Sequence, residues 1–441
     1  MSRLLRIKGT AQVKGQLIVP GDKSISHRAA MLASVASGPS RISGFATSAD
    51  CRSTLGCLER LGVRIERSQS EIIIHGAGLG GYQSDADIVH LDAGNSGSTI
   101  RMLSGLLAGQ SLTTIIDGDE SLRRRPMRRI IEPLTLMGAN IDAREGTYAP
   151  LRIRGGNLKA INYTSRVASA QVKSCVLFAG LAATGRTVFT EPALSRNHSE
   201  LMLKVFGAQI EVDESLNRVG IEGGKALTPV DYHVPGDVSS AAFFIAAATI
   251  LPDSEIVLPN VCLNPTRAAF VEVLNALGAQ IHKENVRTRH GEMVGDLRVT
   301  SGDLRTEGRG LILSGEIIPN LIDEIPILAV VGSQVEGRIE VRDAKELRIK
   351  ESDRIRTVVE AMRALGGRIE EFEDGFAIDG PQRLAGGRVE TAGDHRIAMA
   401  FSIAALAACG ETEIVDADCA AISFPEFYRS LRELTGQEAI E

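Results

Sequence analysis

The chain has 441 residues, 44% hydrophobic and 24% charged, which is typical of a water-soluble globular protein of two or three domains. Its 49 Lys and Arg against 55 Asp and Glu give a net charge of −6, which argues against nucleic-acid binding by bulk attraction. No apolar run reaches the roughly 18 residues of a membrane span, and MSRLLRIKGT is too short and charged for a signal peptide. The six Cys lack CxxC spacing, so neither a disulfide framework nor a zinc site is indicated. We therefore expect the protein to be in the reducing environment of the cytoplasm.

The first predicted helix follows the stretch PGDKSISHR at residues 20–28. The turn residues and the small, apolar run AAMLASVASG after them predict a helix that begins near Asp22 or Ser24. Lys23 and Arg28 then lie in its first turns, where the positive end of the helix dipole disfavours cations. An anion bound at this helix entrance would resolve the conflict.

A second feature recurs along the chain: a helix ending in Leu or a similar apolar residue, then Gly, then an alternating strand. It appears as LERLGVRIE (58–66), LTLMGANID (134–142), LKVFGAQIEV (203–212), LNALGAQIH (274–282), MRALGGRIE (362–370) and the degenerate LRELTGQ (431–437). Gly directly after a helix is the left-handed C′ cap, so we predict that cap at glycines 62, 138, 207, 278, 366 and 436. Six occurrences indicate a repeated structural unit.

Each repeat also contains a helix that is apolar nearly all round, and such a helix is buried among neighbours. The predicted buried helices are RAAMLASVA (28–36), RMLSGLLAG (101–109), SCVLFAGLAATG (174–185), SAAFFIAAATI (240–250), IPILAVVGS (325–333) and RIAMAFSIAALAA (396–408). The sequence therefore predicts an α/β fold in which a β-α-β-α-β-β unit is used six times.

The segments that precede these buried helices have the polar composition of helix caps. They are PGDKSISHR, DAGNSGSTIR, ASAQVKS, PGDVSSA, LIDEIP and AGDHRIA. Cations recur in or near the first turns, namely Lys23 with Arg28, Arg101, Lys173 and Arg396. The amphipathic helix within 350–367 repeats the feature, with Ser352 as the predicted cap and Arg354 in the first turn. Solvated surface cations would explain one case, whereas the repetition favours anion binding at several helix entrances.

Other signals are weaker. GAGLGG (76–81) matches GxGxxG after the strand EIIIH, but alternating YQSDADIVH follows instead of a helix, so we predict a loop and no dinucleotide site. RRRPMRR (123–129) lacks the interleaved aromatic residues of a nucleic-acid-binding segment, so we do not expect nucleic-acid binding there. We expect Arg125 to face an anion while several of its neighbours are solvated. The eight histidines show no metal-binding spacing, and Cys175 and Cys409 are predicted to be buried, inert thiols.

Carboxylates stand among these cations. Asp323 and Glu324 lie in NLIDEIPILAV at the entrance of a buried helix, and Glu351 lies between Lys350 and Arg354. Acidic residues at a helix start are also ordinary compensation of the helix dipole, and both interpretations stay open. A carboxylate among cations stays ionised and suits a base, while one shielded from water can serve as an acid. The residues alone indicate cofactor-free acid–base chemistry on a multiply anionic substrate.

The motifs PGDKSISHR, GNSGSTIR, RRRP, SAQVKS, LIDEIP, ELRIKESDR and GDHRIAMAFS, in this order, resemble the EPSP (5-enolpyruvylshikimate-3-phosphate) synthase family from about residue 10 to residue 430. The resemblance implies a two-domain inside-out α/β barrel with three repeats per domain. The lower domain would hold residues 1–20 plus 236–441 and the upper domain residues 21–235. The six buried helices would aim their N-termini at an inter-domain cleft that holds the active site and the two anionic substrates, shikimate 3-phosphate and phosphoenolpyruvate.

The resemblance also implies roles for individual residues. Contacts to shikimate 3-phosphate are expected from Lys23, Ser24, Arg28, Ser169, Ala170, Gln171, Arg196, Asp323 and Lys350. Contacts to phosphoenolpyruvate are expected from Lys23, Gly97, Arg125, Gln171, Arg354 and Arg396. In the family reaction the 5-hydroxyl adds to C2 of phosphoenolpyruvate, C3 is protonated, and phosphate is then eliminated. We assign Asp323 to the hydroxyl proton and Glu351 to C3, with Lys23 stabilising charge or sharing proton transfer.

The sequences SAQVKS and SISHR resemble the family group that includes glyphosate-tolerant bacterial forms more than the plant-like group. Ala170 replaces a Ser of the plant-like group, and Ile422 stands where that group has Lys. We expect a cytoplasmic monomer without cofactor or metal that can bind the inhibitor glyphosate. One alternative is the sister enzyme, UDP-N-acetylglucosamine enolpyruvyl transferase, but GDESLRRRP (118–126) lacks its reactive Cys. Another is an inactive anion-binding protein, against which the retained Lys23, Asp323, Glu351 and Arg396 argue.

Overall fold

The computed structural model describes residues 4–10, 12–68, 70–308, 310–436 and 440, and Gln437, the last residue of the predicted sixth repeat pattern, lies outside them. The chain divides into two compact units. The first unit consists of Met1–Pro20, Pro235–Thr288 and Met293–Glu441. The second unit consists of Gly21–Val234 and Arg289–Glu292.

Helices and strands are interspersed along the described chain. In chain order the helices are α1 (Lys23–Ser34), α2 (Ala49–Arg60), α3 (Gly97–Ala108), α4 (Glu120–Arg123), α5 (Arg128–Leu136), α6 (Ala170–Ala182), α7 (His198–Val205), α8 (Val238–Ile250), α9 (Ala269–Ala276), α10 (Ile318–Leu321), α11 (Ile325–Gly332), α12 (Arg354–Ala364), α13 (His395–Ala407) and α14 (Phe427–Thr435). Within the described part of the chain, no helix is both long enough and apolar enough to cross a lipid bilayer.

The strands are from three to ten residues long. They are β1 (Leu5–Lys8), β2 (Lys14–Gln16), β3 (Pro39–Ser43), β4 (Arg64–Arg67), β5 (Glu71–His75), β6 (Val89–Asp92), β7 (Thr113–Asp117), β8 (Asn140–Arg144), β9 (Tyr148–Arg154), β10 (Asn162–Thr164), β11 (Arg186–Thr190), β12 (Ile210–Asp213), β13 (Arg218–Glu222), β14 (Asp231–His233), β15 (Glu255–Cys262), β16 (Gln280–Arg289), β17 (Glu292–Thr300), β18 (Leu311–Leu313), β19 (Gly337–Val341), β20 (Glu370–Phe372), β21 (Gly375–Gly380), β22 (Arg388–Glu390) and β23 (Glu411–Val415).

The sheets of the second unit share one pairing pattern. Their strand orders are β14-β3-β5-β4, β6-β7-β9-β8 and β10-β11-β13-β12. In each sheet the first pair is parallel and the next two pairs are antiparallel. A parallel pair needs a crossover connection, whereas antiparallel neighbours can be joined by short turns.

The first unit contains β18-β19-β21-β20 with the same pattern, together with β16-β17-β15-β2 and β1-β23-β22. Strand β2 pairs parallel with β15, and β22 pairs parallel with β23. The described chain is thus a mixed α/β protein with six small sheets, and the predicted α/β class is confirmed.

Most of each predicted apolar run lies in a helix that is buried along most of its length, and five of the runs extend one to three residues past the helix end. These helices are α1, α3, α6, α8, α11 and α13. Small residues allow these helices to pack closely. In the second unit, a Cβ built on Gly105 of α3 would lie 2.2 Å from the carbonyl oxygen of Cys175 in α6. Only glycine permits this approach, because any side chain would overlap the neighbouring backbone.

The predicted left-handed caps are confirmed at glycines 62, 138, 207, 278 and 366, which have φ of 83°, 103°, 79°, 93° and 75°. Gly436 has φ of 84° but ψ of 153°, which lies outside the left-handed helical region, and it is itself the C-cap of α14. Five of the buried helices also have a side-chain N-cap from the predicted polar entrances, formed by Asp22, Ser96, Ser169, Asp237 and Asp394. Local sequence is sufficient for such features because a cap involves only neighbouring residues.

Two other local predictions are wrong. The helix predicted within 350–367 is capped by Asp353, whose side chain accepts from the amide of Arg356, while Ser352 donates to Asp394 at 3.0 Å. Cys409 is exposed rather than buried, because helix α13 ends at Ala407 and Cys409 lies beyond it, in an isolated β-bridge with Ala385. Cys175 is buried as predicted.

The segment GAGLGG is a loop between strands β5 and β6, as predicted.

Candidate active site

The entrance of α1 carries Lys23 as its first helical residue. Asp22 caps the helix, since its Oδ1 accepts from the amide of Ile25 at 2.9 Å. The Lys23 ammonium lies 2.9 Å from Oδ2 of Asp50, and its side chain is 16% exposed. An internal carboxylate therefore supplies part of the anionic environment that the sequence predicted at this position.

Arg28 connects three helix starts of the second unit. Its Nε donates to Oγ of Ser199 at 2.7 Å, and its Nη2 donates to Oγ of Ser174 at 2.9 Å. Its Nη1 donates to the carbonyl oxygen of Ser24 at 2.9 Å. Burial lowers the pKa of the Arg28 guanidinium to about 10, and the nearby charge of Arg196 acts in the same direction.

The entrance of α6 presents the predicted stretch Ser169, Ala170 and Gln171, which is half-buried. Ser169 caps the helix, and Gln171 lies in its first turn. The Gln171 amide accepts from Nη1 of Arg101 at 2.7 Å and donates to Oγ of Ser98 at 3.0 Å. The starts of α3 and α6 are therefore joined through a neutral side chain.

Two guanidinium groups converge on the start of α3, where Gly97 is the first helical residue. A Cβ built on Gly97 would lie 3.3 Å from Nη1 of Arg125 and 3.4 Å from Nη1 of Arg101. Arg125 donates to Asn95 at 2.8 Å and to Ser121 at 3.1 Å. Both arginines are buried, so this helix start combines positive charge with backbone N–H groups, which is the chemistry of an anion site.

Lys173 is not the ligand-facing cation that the sequence indicated. Its ammonium lies 2.7 Å from Oε1 of both Glu191 and Glu200, and its side chain is only 2% exposed. The misplaced charge in α6 is compensated by carboxylates from later in the chain, which no local pattern reveals. Arg196 is half-buried in the segment between these two glutamates.

In the first unit, Asp323 lies just before α11 and is 21% exposed. Its Oδ1 is 3.5 Å from Nη1 of Arg354, and its Oδ2 is 3.7 Å from Nη1 of Arg267. The adjacent Glu324 is 2% exposed and lies 3.5 Å from the same Arg267 nitrogen. Of the two neighbouring carboxylates, Asp323 is the one that solvent can reach.

Arg267 was not identified from the sequence. It is almost fully buried, and its Nη2 lies 3.3 Å from Oδ1 of Asp237, the cap of α8. Nothing in VCLNPTRAAF distinguishes it from a solvated surface arginine, because its carboxylate partners lie elsewhere in the chain. It connects the starts of α8 and α11.

Arg354 is the first residue of α12 and contacts Glu351, the other candidate catalytic carboxylate. Its Nη2 lies 2.6 Å from Oε2 of Glu351, and its Nε lies 2.8 Å from Oδ2 of Asp394. Burial alone would lower the pKa of the guanidinium, but the carboxylates of Asp394, Glu351 and Asp323 outweigh burial, and the pKa is raised. Arg354 therefore remains charged.

Lys350 and Arg396 complete the predicted residues of the first unit. The pKa of the half-buried Lys350 ammonium is lowered, chiefly by loss of water, although the carboxylates of Glu346 and Asp323 oppose this shift. Arg396 lies in the first turn of α13, with Nη1 3.4 Å from the carbonyl oxygen of Ser239. Ile422 packs against the hydrophobic core and supplies no charge.

The two groups of residues have different chemical capacities. In the second unit, helix starts and cations suit phosphate or carboxylate ligands. In the first unit, Asp323 and Glu351 are partly exposed carboxylates held among arginines, which suits proton transfer beside an anionic substrate.

Comparisons with known proteins are consistent with these capacities. The profile of a family described as EPSP synthase (3-phosphoshikimate 1-carboxyvinyltransferase) matches residues 7–431. A 3-phosphoshikimate 1-carboxyvinyltransferase of Solibacter usitatus (strain Ellin6076) is 49% identical over 429 residues, which cover 97% of this chain and 99% of that protein. One of Synechococcus sp. (strain JA-3-3Ab) is 49% identical over 434 residues, covering 98% and 96%. The structure of EPSP synthase from Acinetobacter baumannii superposes with a TM-score of 0.87 at 38% identity, covering 100% of this chain and 99% of that one.

Proposed function

The chain belongs to the EPSP synthase family, and we propose that Asp323, Glu351 and Lys23 carry out its chemistry. The reaction transfers the enolpyruvyl group of phosphoenolpyruvate to the 5-hydroxyl of shikimate 3-phosphate and releases phosphate, a step of the shikimate pathway. The proposal requires no cofactor, because positioned acids and bases and fixed positive charge are sufficient for the addition and the elimination.

Binding in this proposal is divided between two sets of residues. Shikimate 3-phosphate is held by Lys23, Ser24, Arg28, Ser169, Ala170, Gln171, Arg196, Asp323 and Lys350. Phosphoenolpyruvate is held by Lys23, Gly97, Arg125, Gln171, Arg354 and Arg396. Arginine suits this task, since its planar group donates two parallel hydrogen bonds to a carboxylate or phosphate.

One observation carries the catalytic part of the proposal. A single cation, Arg354, lies 2.6 Å from Glu351 and 3.5 Å from Asp323. Two partly exposed carboxylates are thus grouped around one buried charge. An anionic substrate that binds Arg354 weakens the attraction between Arg354 and Glu351. The carboxyl group of Glu351 then holds a proton more readily, which an acid requires.

The proposed reaction proceeds by an addition followed by an elimination. Asp323 takes the proton of the 5-hydroxyl while the hydroxyl oxygen bonds to C2 of phosphoenolpyruvate, and Glu351 gives a proton to C3. A proton then returns from the new methyl group to Glu351, the C2–O bond to phosphate breaks, and the enol ether forms. The proton on Asp323 passes to the released phosphate. Lys23 stabilises negative charge or shares in proton transfer.

The arrangement of the repeats and the place of the active site are also proposals. We infer six β-α-β-α-β-β repeats in an inside-out barrel, three in residues 1–20 plus 236–441 and three in 21–235, with the active site in the cleft between these domains. The recurring order of one parallel and two antiparallel pairs in the sheets supports the repeats. The resemblance of the motifs to the family supports the cleft. We further propose a cytoplasmic monomer that binds glyphosate in the phosphoenolpyruvate site; sedimentation at twice the monomer mass would contradict the monomer.

The substitution Asp323→Asn tests the catalytic assignment. It keeps the side-chain shape but removes the base, so we expect the turnover number to fall by roughly 10²–10⁴ while the KM for shikimate 3-phosphate changes much less. Phosphate release is measured at saturating concentrations of both substrates.

The matched control is Asp379→Asn, an exposed aspartate of β21 whose side chain is 69% exposed and contacts Arg338. It should leave turnover unchanged, and circular dichroism should show that both variants are folded. A near-normal turnover number for Asp323→Asn would remove Asp323 from the mechanism.

A further inference from the structure

Lys173 lies in the first turn of α6, but its ammonium is directed into the protein. It is 2.7 Å from Glu191, 2.7 Å from Glu200 and 3.2 Å from the carbonyl oxygen of Ser195. All three partners come from a segment well after α6 in the sequence. The lysine therefore fastens the start of α6 to residues 191–200.

The contact with Glu191 fixes the segment that leads to Arg196. Oε1 of Glu191 accepts from the amide of Ser195 at 3.0 Å, and Oε2 accepts from its hydroxyl at 2.6 Å. Lys173 binds the carbonyl oxygen of the same residue. Ser195, the residue directly before Arg196, is thus held on both sides of its peptide and by its side chain.

The contact with Glu200 fixes the start of α7 beside Arg28. Ser199 precedes Glu200, and its hydroxyl lies 2.7 Å from Nε of Arg28 and 2.6 Å from the hydroxyl of Ser174. Ser174 follows Lys173 in the chain. One buried ammonium therefore determines the spacing of the α6 start, the Arg28 guanidinium and the Arg196 segment.

We propose that Lys173 is a positioning residue for the phosphate group of shikimate 3-phosphate, acting through Glu191 and Glu200 on Arg196 and Arg28. This inference rests on the proposed function, in which Ser169, Ala170 and Gln171 at the start of α6 bind shikimate 3-phosphate, and we place its phosphate group there because a helix start suits a phosphate. Lys173 itself does not touch the substrate, because Glu191, Glu200 and Ser195 surround its ammonium. A helix start and two arginines bind a phosphate well only when their spacing matches it, and misplacement by about 1 Å costs as much as 10²-fold.

A purely structural role predicts something different. If Lys173 only stabilised the second unit, its loss would lower the melting temperature and weaken every ligand equally, or none. A positioning role predicts a selective loss for ligands that carry the phosphate. Shikimate, which lacks the 3-phosphate, is the probe that separates these two roles.

The experiment measures dissociation constants of shikimate 3-phosphate and shikimate for the full-length protein by calorimetry. The ratio of the two constants reports the phosphate site. Here the ratio is the constant for shikimate divided by the constant for shikimate 3-phosphate. We expect Lys173→Met to reduce this ratio by roughly tenfold to hundredfold, because the constant for shikimate 3-phosphate rises while the constant for shikimate changes little. Lys173→Arg, which keeps the charge, should retain more of the ratio. Lys204→Met, at the far end of α7, is the matched control and should keep the ratio of the unsubstituted protein.

Lys173→Met leaves two buried carboxylates without their cation and can prevent folding. The triple variant Lys173→Met, Glu191→Gln, Glu200→Gln replaces the ion cluster by neutral groups and should fold, while losing the ratio. A folded variant of either kind that keeps the full ratio would overturn the positioning role and leave the proposed function intact. A similar affinity of the unsubstituted protein for shikimate and shikimate 3-phosphate would contradict the proposed function itself, and with it this inference.

Discussion

The substitution Gly97→Ala probes the start of α3, where two guanidinium groups approach the backbone. The new methyl carbon would lie 3.3 Å from Nη1 of Arg125 and 3.4 Å from Nη1 of Arg101. Ordinary contacts of carbon with other heavy atoms are about 3.5–4.0 Å, so each arginine must withdraw by a few tenths of an ångström. The backbone of Gly97 does not have a positive φ, so alanine introduces no backbone strain there.

The cost to the empty protein should be small, because the displaced atoms are the ends of flexible side chains. Arg125 also keeps its contacts with Asn95 and Ser121 after so slight a shift. The methyl group instead removes space at the proposed phosphoenolpyruvate site. Glyphosate is longer than phosphoenolpyruvate, so the inhibitor should lose more affinity than the substrate. One misplaced methyl group supplies a discrimination of ~1–3 kcal/mol, which is tenfold or more.

The assay is steady-state inhibition, with the inhibition constant for glyphosate and the KM for phosphoenolpyruvate measured for both proteins. We expect the unsubstituted protein to be inhibited and Gly97→Ala to raise the inhibition constant at least about tenfold more than the KM. Gly156→Ala is the matched control, because a Cβ at that position meets no atom within 4 Å. Equal proportional changes in the two constants would refute the reasoning, because Gly97 would then not discriminate between the ligands.

Two further predictions concern binding and acid stability. Because both arginines belong to the proposed phosphoenolpyruvate set, Arg125→Met and Arg396→Met should each raise the KM for phosphoenolpyruvate by about tenfold to hundredfold. An unchanged KM in steady-state kinetics would remove that arginine from the set. The pKa of His27 is well below its usual value because of burial, with Lys23 and Arg28 adding to the shift. As the pH falls below about 6.5, His27 binds a proton in the unfolded chain but not in the native protein, so the free energy of unfolding should decrease by up to ~1.4 kcal/mol per pH unit. Urea titrations at several pH values measure this slope, and His27→Gln should flatten it. Equal slopes for the unsubstituted protein and His27→Gln would contradict the prediction.

The parts of the fold that sequence could predict are those decided by near neighbours. A left-handed glycine such as Gly138 is fixed by the helix that ends before it, and its pattern is visible within ten residues. Pairing of strands is different. Strand β2 pairs with β15, so that Lys14 lies opposite Glu255, and no local feature of either segment indicates the other. The prediction of a repeated unit indicated that helices and strands are interspersed along the chain, but not which strands share a sheet.

The candidate site divides in the same way. Lys23 and Arg354 were identified because a cation at a helix start opposes the helix dipole, and Asp323 because an acid there matches it. Only the residue and its own helix are needed to see this. Arg267 was missed because a buried arginine looks like a surface one until its carboxylates are known. The role of Lys173 was misjudged for the same reason, since the rest of α6 and strand β11 separate it from Glu191, and Glu200 lies farther on, in α7.

A cation at a helix entrance thus predicts that an anion is needed, but not that the anion is a ligand. The dipole penalty of ~0.3–1 kcal/mol per misplaced charge can be offset by a carboxylate from anywhere in the chain. Exposure separates the cases: Lys173 is 2% exposed between two carboxylates, whereas Lys23 is 16% exposed beside one. A phosphate that approached Lys173 would have to displace a buried carboxylate and leave it without its partner, which costs several kcal/mol. At Lys23 a phosphate can join an existing, partly solvated pair, so the same sequence feature is structural in one helix and suited to a ligand in the other.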